Sequence, residues 1–118
     1  MANGLFPRIK NRRRTFAIIS RPKAGALRHF GVLLPEGCVA HCSPSKGEHI
    51  STVSEFAAGN DVLIEKVVPV SEHNATLERI AASMHRGGAY DLLLNNCEIF
   101  ANRITAQAAK SDQLRIAC

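Results

Sequence analysis

The 118-residue chain is 46% hydrophobic and 21% charged and has no tryptophan, a composition suited to one globular domain with a single core. Fifteen Lys and Arg against ten Asp and Glu leave a net charge of +5. No apolar run approaches the roughly 20 residues needed to cross a bilayer and no hydrophobic signal-type segment stands at the start, so a cytoplasmic protein without a transmembrane segment is expected.

The positive charge is concentrated at the beginning, where Arg8, Lys10, Arg12, Arg13 and Arg14 fall in one short stretch. Such a cluster is either a solvated arm or a contact for an anionic surface or the phosphates of nucleic acid. No aromatic residue interleaves with it to stack on bases. Residues 1–14 therefore read as a basic N-terminal arm and residues 15–118 as one domain.

TFAIIS (Thr15 to Ser20) has the composition of a short β-strand, and RPKAG (Arg21 to Gly25) that of a loop. LRHFGVLL (Leu27 to Leu34) and CVAHCS (Cys38 to Ser43) are two further strands around Pro35-Glu36-Gly37. A three-residue hairpin loop commonly ends in a residue of positive φ, which suits Gly37. With that loop Leu34 pairs with Cys38 and Gly31 with His41. His29 and His41 then share a face as diagonal neighbours, with the open space of Gly31 between them. A two-residue loop would reverse the parity and separate the histidines. Cys42 alternates onto the opposite face, as a core residue.

SPSKGEH reads as a loop, which places His49 beside the paired histidines within substrate reach. STVSEFAAG suggests a short helix with Ser51 or Thr52 near its cap, and VLIEKVVPV (Val62 to Val70) an edge strand. A helix capped by Asn74 and running through Arg86 would present Leu77, Ile80, Ala81 and Met84 as its apolar stripe, with Gly87 ending it. Its histidines, His73 and His85, read as solvated.

The last element begins after YDLLLNN. Asn95 reads as a loop residue and Asn96 as a helix cap, after which Cys97, Phe100, Ala101 and Ile104 recur at i, i+3, i+4 and i+7. Cys97 is thus in the first turn and on the buried stripe. Helix N-termini and nearby imidazolium stabilise a thiolate, and histidine is the side chain suited to accept a thiol proton near neutrality. A neighbouring Glu98 opposes a second negative charge unless it faces solvent. The remaining cysteines, Cys38, Cys42 and Cys118, lack a second ligand pair at zinc-site spacing, and nothing in the sequence calls for a metal or an organic cofactor. The fold class is α+β, a small antiparallel sheet packed against helices.

RHFGV, then VAHCSP, then Tyr90 ahead of Cys97 in NNCEIFANRI resemble the lecithin retinol acyltransferase-like family, over about Thr15 to Arg103. That family belongs with the circularly permuted papain-like thiol hydrolases of the NlpC type. The resemblance implies Cys97 as nucleophile, His29 as general base and His41 as the residue that orients it. It makes Tyr90, with Asn96, a candidate for oxyanion or positioning duty. It also implies acyl chemistry on an ester, thioester or amide of a small molecule, lipid or peptide, through a thioester on the enzyme. Ile99 stands where many members carry a further histidine, Arg13-Arg14-Thr15 replaces a usual Pro-Gly-Asp, and no hydrophobic tail closes the sequence. Two other expectations remain open from the residues: a cysteine peptidase or amidase, and a non-catalytic interaction domain with a basic arm.

Overall fold

The computed structural model describes residues 15–92 and 96–105. The basic cluster Arg8 to Arg14, Asn95 and Cys118 lie outside the described residues.

Five antiparallel strands form one sheet: β1 (Ala17–Ala24), β2 (Leu27–Leu33), β3 (Cys38–Ser43), β4 (Gly47–Thr52) and β5 (Leu63–Val67), in the spatial order β4-β3-β2-β1-β5. Among the described residues, three α-helices complete the α+β fold, α1 (Val53–Ala57), α2 (His73–Arg86) and α3 (Cys97–Ile104), with a 3-10 turn (Val70–Glu72) leading into α2. The hairpin between β2 and β3 has the expected register. Gly31 opposes His41, Val32 opposes Ala40, the Leu34 N–H donates to Cys38 O at 2.8 Å, and Gly37 has φ of 95°.

Alternation along the strands gives the sheet two apolar faces. On one, Ala17, Ile19, Leu33 and Val39 pack with Val62 beneath Phe56 and Ala57 of α1. On the other, Phe16, Ile18, Val32, Leu34, Ala40 and Cys42 pack against Ile80 of α2 and Phe100, Ala101 and Ile104 of α3. Helix α1 has only five residues and is held at its start by a capping box. The Thr52 hydroxyl accepts from the Glu55 N–H at 3.0 Å, and the Glu55 carboxylate accepts from the Thr52 N–H at 2.9 Å. Helix α3 is also short, and its buried stripe, Cys97, Phe100, Ala101 and Ile104, is the one its periodicity gives. An isolated helix of that length is unstable in water, so packing holds it.

Three local expectations are corrected. Strand β1 runs on through Arg21 to Ala24, where a loop was expected, and its register shifts between Pro22 and Ala24. Proline cannot donate to a ladder, and such an irregularity accommodates it. Residues Gly47–Thr52 form β4 on β3, so Gly47, Glu48 and His49 are strand residues. Helix α2 buries Thr76, Ile80 and Ser83, whereas Leu77 is 51% exposed. Its N-cap is Glu72, one residue before the helix, while Gly87 ends it in the left-handed conformation as expected.

The rotated face of α2 has a polar cause. Glu48 of β4 is buried, its side chain 1% exposed, and its carboxylate accepts from Arg86 Nη2 at 2.9 Å, Arg103 Nη2 at 2.8 Å and the Ser83 hydroxyl. Its N–H donates to Gly88 O at 2.7 Å, and a Cβ on Gly88 would collide with the carboxylate. One side chain therefore joins β4 to the end of α2 and to α3. The side chains of Arg86 and Arg103 are 54% and 34% exposed and can turn to solvent without Glu48, so its loss strands chiefly the buried Ser83 hydroxyl and costs about 1–3 kcal/mol. Glu48→Ala is expected to lower unfolding free energy by that amount in urea titrations; a loss below about 1 kcal/mol would mean that solvent replaces the carboxylate at little cost.

Candidate active site

The residues proposed for chemistry come from β2, β3 and α3. His29 and His41 are each 6% exposed and lie on the α1 face of the sheet. As the diagonal relation requires, they meet: Nε2 of His29 is 2.9 Å from Nδ1 of His41, a hydrogen bond between the rings. Gly31 makes room for this. A Cβ there would lie 2.7 Å from Val39 Cγ1 and 2.8 Å from Phe56 Cε1, so a side chain at Gly31 and the Phe56 ring compete for one space. The Phe56 ring stacks on His29, with centroids 5.1 Å apart, and meets His41 edge-on at 5.2 Å. Sequence reading did not single out Phe56; the apolar residue four places after the Thr52 cap was the available sign.

His49 faces His41 across the β3–β4 ladder, with ring centroids 4.1 Å apart. It reaches this position from a strand, and its Nδ1–H donates to Gly47 O at 2.8 Å. On the other diagonal of His41, Ser51 Oγ lies 2.9 Å from His41 Nε2. Ser51 had entered the sequence reading only as a possible helix cap; the cap is Thr52. His73 is also bonded: Nε2 is 3.0 Å from Val68 O and 3.2 Å from Thr15 Oγ1.

Cys97 enters from elsewhere. The body of α3 packs on the sheet face opposite the imidazoles, and its first residue comes up to the backbone of β2, with Sγ 3.9 Å from Arg28 O. Arg28 immediately precedes His29. The paired part of β2 and β3 begins at Gly31 and His41, so His29 lies beyond that ladder, at the end of β2 that Cys97 approaches. The structure thus bonds the histidines to each other and brings the sulfur to the strand beside His29. Among the described residues, neither imidazole is hydrogen-bonded to the sulfur, and His29 Nδ1 has no hydrogen-bond partner.

Asn96 caps α3 as expected: Oδ1 accepts from the Ile99 N–H at 2.9 Å, and Nδ2 donates to Leu92 O at 2.9 Å. With both ends of its amide so engaged, Asn96 fixes the start of the helix. Tyr90 packs at the margin of the core that α3 covers. Burial, and next the neighbouring Cys97, hold its phenol above the ordinary range. Cys42 is core on this same face, its thiol pushed up to about 12, first by burial and then by Glu48. Glu98 is buried at 9% exposure, so bulk solvent gives it little screening. Among the described residues, no group of His, Cys, Asp and Glu converges as a metal site, and no helix is long and apolar enough to cross a membrane.

The environment strongly favours neutral imidazoles. His29 is lowered to about 4, first by burial and then by the positive charge of Arg21 and Lys23. His41 is lowered to about 3 by burial, then by His49 and His29.

A family model described as Lecithin retinol acyltransferase matches residues 13–110, most of the chain. Comparison with curated proteins and with solved structures gave no match.

The buried pair sets the acid response of the fold. Unfolded histidines take up protons near pH 6.5, while His29 and His41 in the folded chain resist until about 4 and 3. The unfolded state therefore binds more protons in that interval, and stability falls as pH drops through it. Between pH 7 and pH 5 the two imidazoles are expected to remove about 2–4 kcal/mol of unfolding free energy. In urea titrations His41→Gln should flatten this slope; an unchanged slope would show that other groups govern it.

Proposed function

Because the chain belongs to the lecithin retinol acyltransferase family, we propose that it is a cysteine-dependent acyl hydrolase or acyltransferase in which Cys97 is the nucleophile, His29 the base and His41 its orienting partner. The observation that carries this reading is the 2.9 Å bond between His29 Nε2 and His41 Nδ1. It commits one nitrogen of His29 to orientation and leaves Nδ1, the nitrogen nearer the backbone, for proton transfer. Sγ lies against the carbonyl of the preceding residue. Arrangement of a nucleophile, a base and a third group that holds the base is the pattern of activated-thiol catalysis. The order His29, His41, Cys97 along the chain agrees with a circularly permuted papain-like site.

In the proposed cycle Sγ transfers its proton to His29 Nδ1 and attacks the acyl carbonyl carbon, forming a C–S bond. The carbonyl oxygen takes the negative charge. Amides at a helix N-terminus have no intrahelical acceptors and carry partial positive charge, so the start of α3 favours that oxyanion. The Tyr90 phenol is suited to assist it, since burial keeps its proton on. Collapse breaks the bond to the leaving group, which receives the proton from His29. A thioester on Cys97 remains. Water, or an acceptor alcohol or amine, then gives a proton to His29 and attacks the thioester carbonyl carbon; the C–S bond breaks, and His29 returns that proton to Sγ. The substrate class is an acyl ester, thioester or amide.

The lowered pKa of His29 is compatible with this duty. An imidazole held neutral is available as a base well below pH 6.5, and the thiolate formed beside it favours the protonated ring during transfer. Two outcomes follow. Incubation with a panel of acyl esters, thioesters and peptides should leave an acyl adduct detectable by intact mass, absent in Cys97→Ser and reduced about 100-fold or more in rate in His29→Gln. The acidic limb of the acylation rate should lie below pH 6. An adduct that survives in Cys97→Ser, or no adduct with any donor, contradicts the proposal.

A further inference from the structure

The direction of the hydrogen bonds behind His41 identifies a further positioning residue for this reaction, and the inference rests on the role just proposed for His29. A neutral imidazole has one N–H and one lone pair, so a bond at one nitrogen fixes what the other does. His29 and His41 are joined through Nε2 and Nδ1, which alone permits either direction: His29 donates, or His41 does. Only one direction leaves His29 Nδ1 with the lone pair a thiol proton needs.

Ser51 offers a way to set the direction. Thr52 O, which can only accept, lies 3.2 Å from Ser51 Oγ and provides a place for the one hydroxyl proton. With the proton turned there, the oxygen accepts toward His41, 2.9 Å away, and His41 Nε2 carries the hydrogen. His41 Nδ1 is then a lone pair, which accepts from His29 Nε2–H at 2.9 Å. His29 Nδ1 is left as the basic nitrogen. We propose that Ser51, by accepting from His41, is the positioning residue that sets the tautomer of both histidines and holds His29 Nδ1 ready for the Cys97 proton.

Several features keep this relay one-directional. Ser51 opposes Val39 on the β3–β4 ladder, so it is the diagonal neighbour of His41 on the side away from His29. Thr52 belongs to the strand end and caps α1, which fixes the carbonyl that Ser51 addresses. Phe56 of the same α1 covers both rings, each 6% exposed, so the bond between them is shielded from water. His49 does not compete, because its Nδ1–H is given to Gly47 O.

The test reads tautomers and reactivity separately, in the full chain at pH 7. Long-range ¹H–¹⁵N spectra of the imidazoles should find His29 and His41 both protonated on Nε2 in the wild type. Ser51→Ala should turn the His41 and His29 signals into those of mixed tautomers, and Ser51→Thr, which restores a hydroxyl, should return them. Iodoacetamide labelling of Cys97, followed by mass, should slow about tenfold in Ser51→Ala and recover in Ser51→Thr. His41 protonated on Nδ1 in the wild type, or tautomers unchanged in Ser51→Ala, overturns the proposal. If Cys97 proves no more reactive than Cys38 while the tautomers respond as stated, the positioning by Ser51 stands and the catalytic reading of Cys97 fails.

Discussion

The buried carboxylate of Glu48 is the constraint on which the arrangement of this small domain depends. A charge in an apolar interior must be matched, and here the match comes from Arg86 at the end of α2 and Arg103 in the last turn of α3, with the Ser83 hydroxyl completing the set. An ion pair in this setting adds little net stability over an apolar contact, but it is directional, and it specifies which helix ends meet β4. Helix α3 has eight residues and a four-residue apolar stripe, a surface that alone would permit sliding along the sheet. The bond from Arg103 fixes its last turn, while the Asn96 cap fixes its first. The place of Cys97 beside Arg28 is the result of both.

A second constraint concerns the space between the histidines. His29, Gly31 and His41 occupy one patch of the sheet, and Phe56 fills the volume above Gly31. The aromatic cover removes water from both rings, which costs the charged form and holds each imidazole neutral. It also strengthens the ring-to-ring bond by lowering the local dielectric. The same feature that prepares a base for the proposed chemistry therefore makes the fold acid-sensitive, since unfolding lets these rings take up protons.

The sheet separates the two halves of the proposed machinery. Its α1 face carries His29, His41, His49, Ser51 and Phe56, whereas its other face carries the α3 packing, Cys42 and Tyr90. The two come nearest at the end of β2 beyond the paired Gly31 and His41, where Cys97 Sγ lies 3.9 Å from Arg28 O. Such an arrangement puts the rings of the proposed relay under Phe56, while Cys97, the proposed nucleophile, stands at a helix start, where partial positive charge is available. It matches a division of labour in which a rigid hairpin supplies the base and a separately tethered helix supplies the thiol.

What the sequence by itself determined is local. Loop length between Leu34 and Cys38 set the register, and register set the shared face of His29 and His41, because side chains alternate with a period of two. The stripe of α3 and the cap at Asn96 follow in the same way from neighbours a few residues apart, whereas the cap of α1 was narrowed only to Ser51 or Thr52 and the structure chose Thr52. Strand β4 and the buried face of α2 were not legible, since Glu48 is buried only because arginines 38 and 55 residues away reach it. Ser83 is likewise buried for that carboxylate, and Leu77 is displaced outward. The role proposed for Ser51 depends on a hydroxyl, a carbonyl and an imidazole meeting across a ladder that appeared only with β4. Periodicity encodes which face a residue takes; which distant group satisfies its charge or hydrogen bond is decided by tertiary packing, because the energy of a buried polar atom depends on partners that sequence spacing does not name.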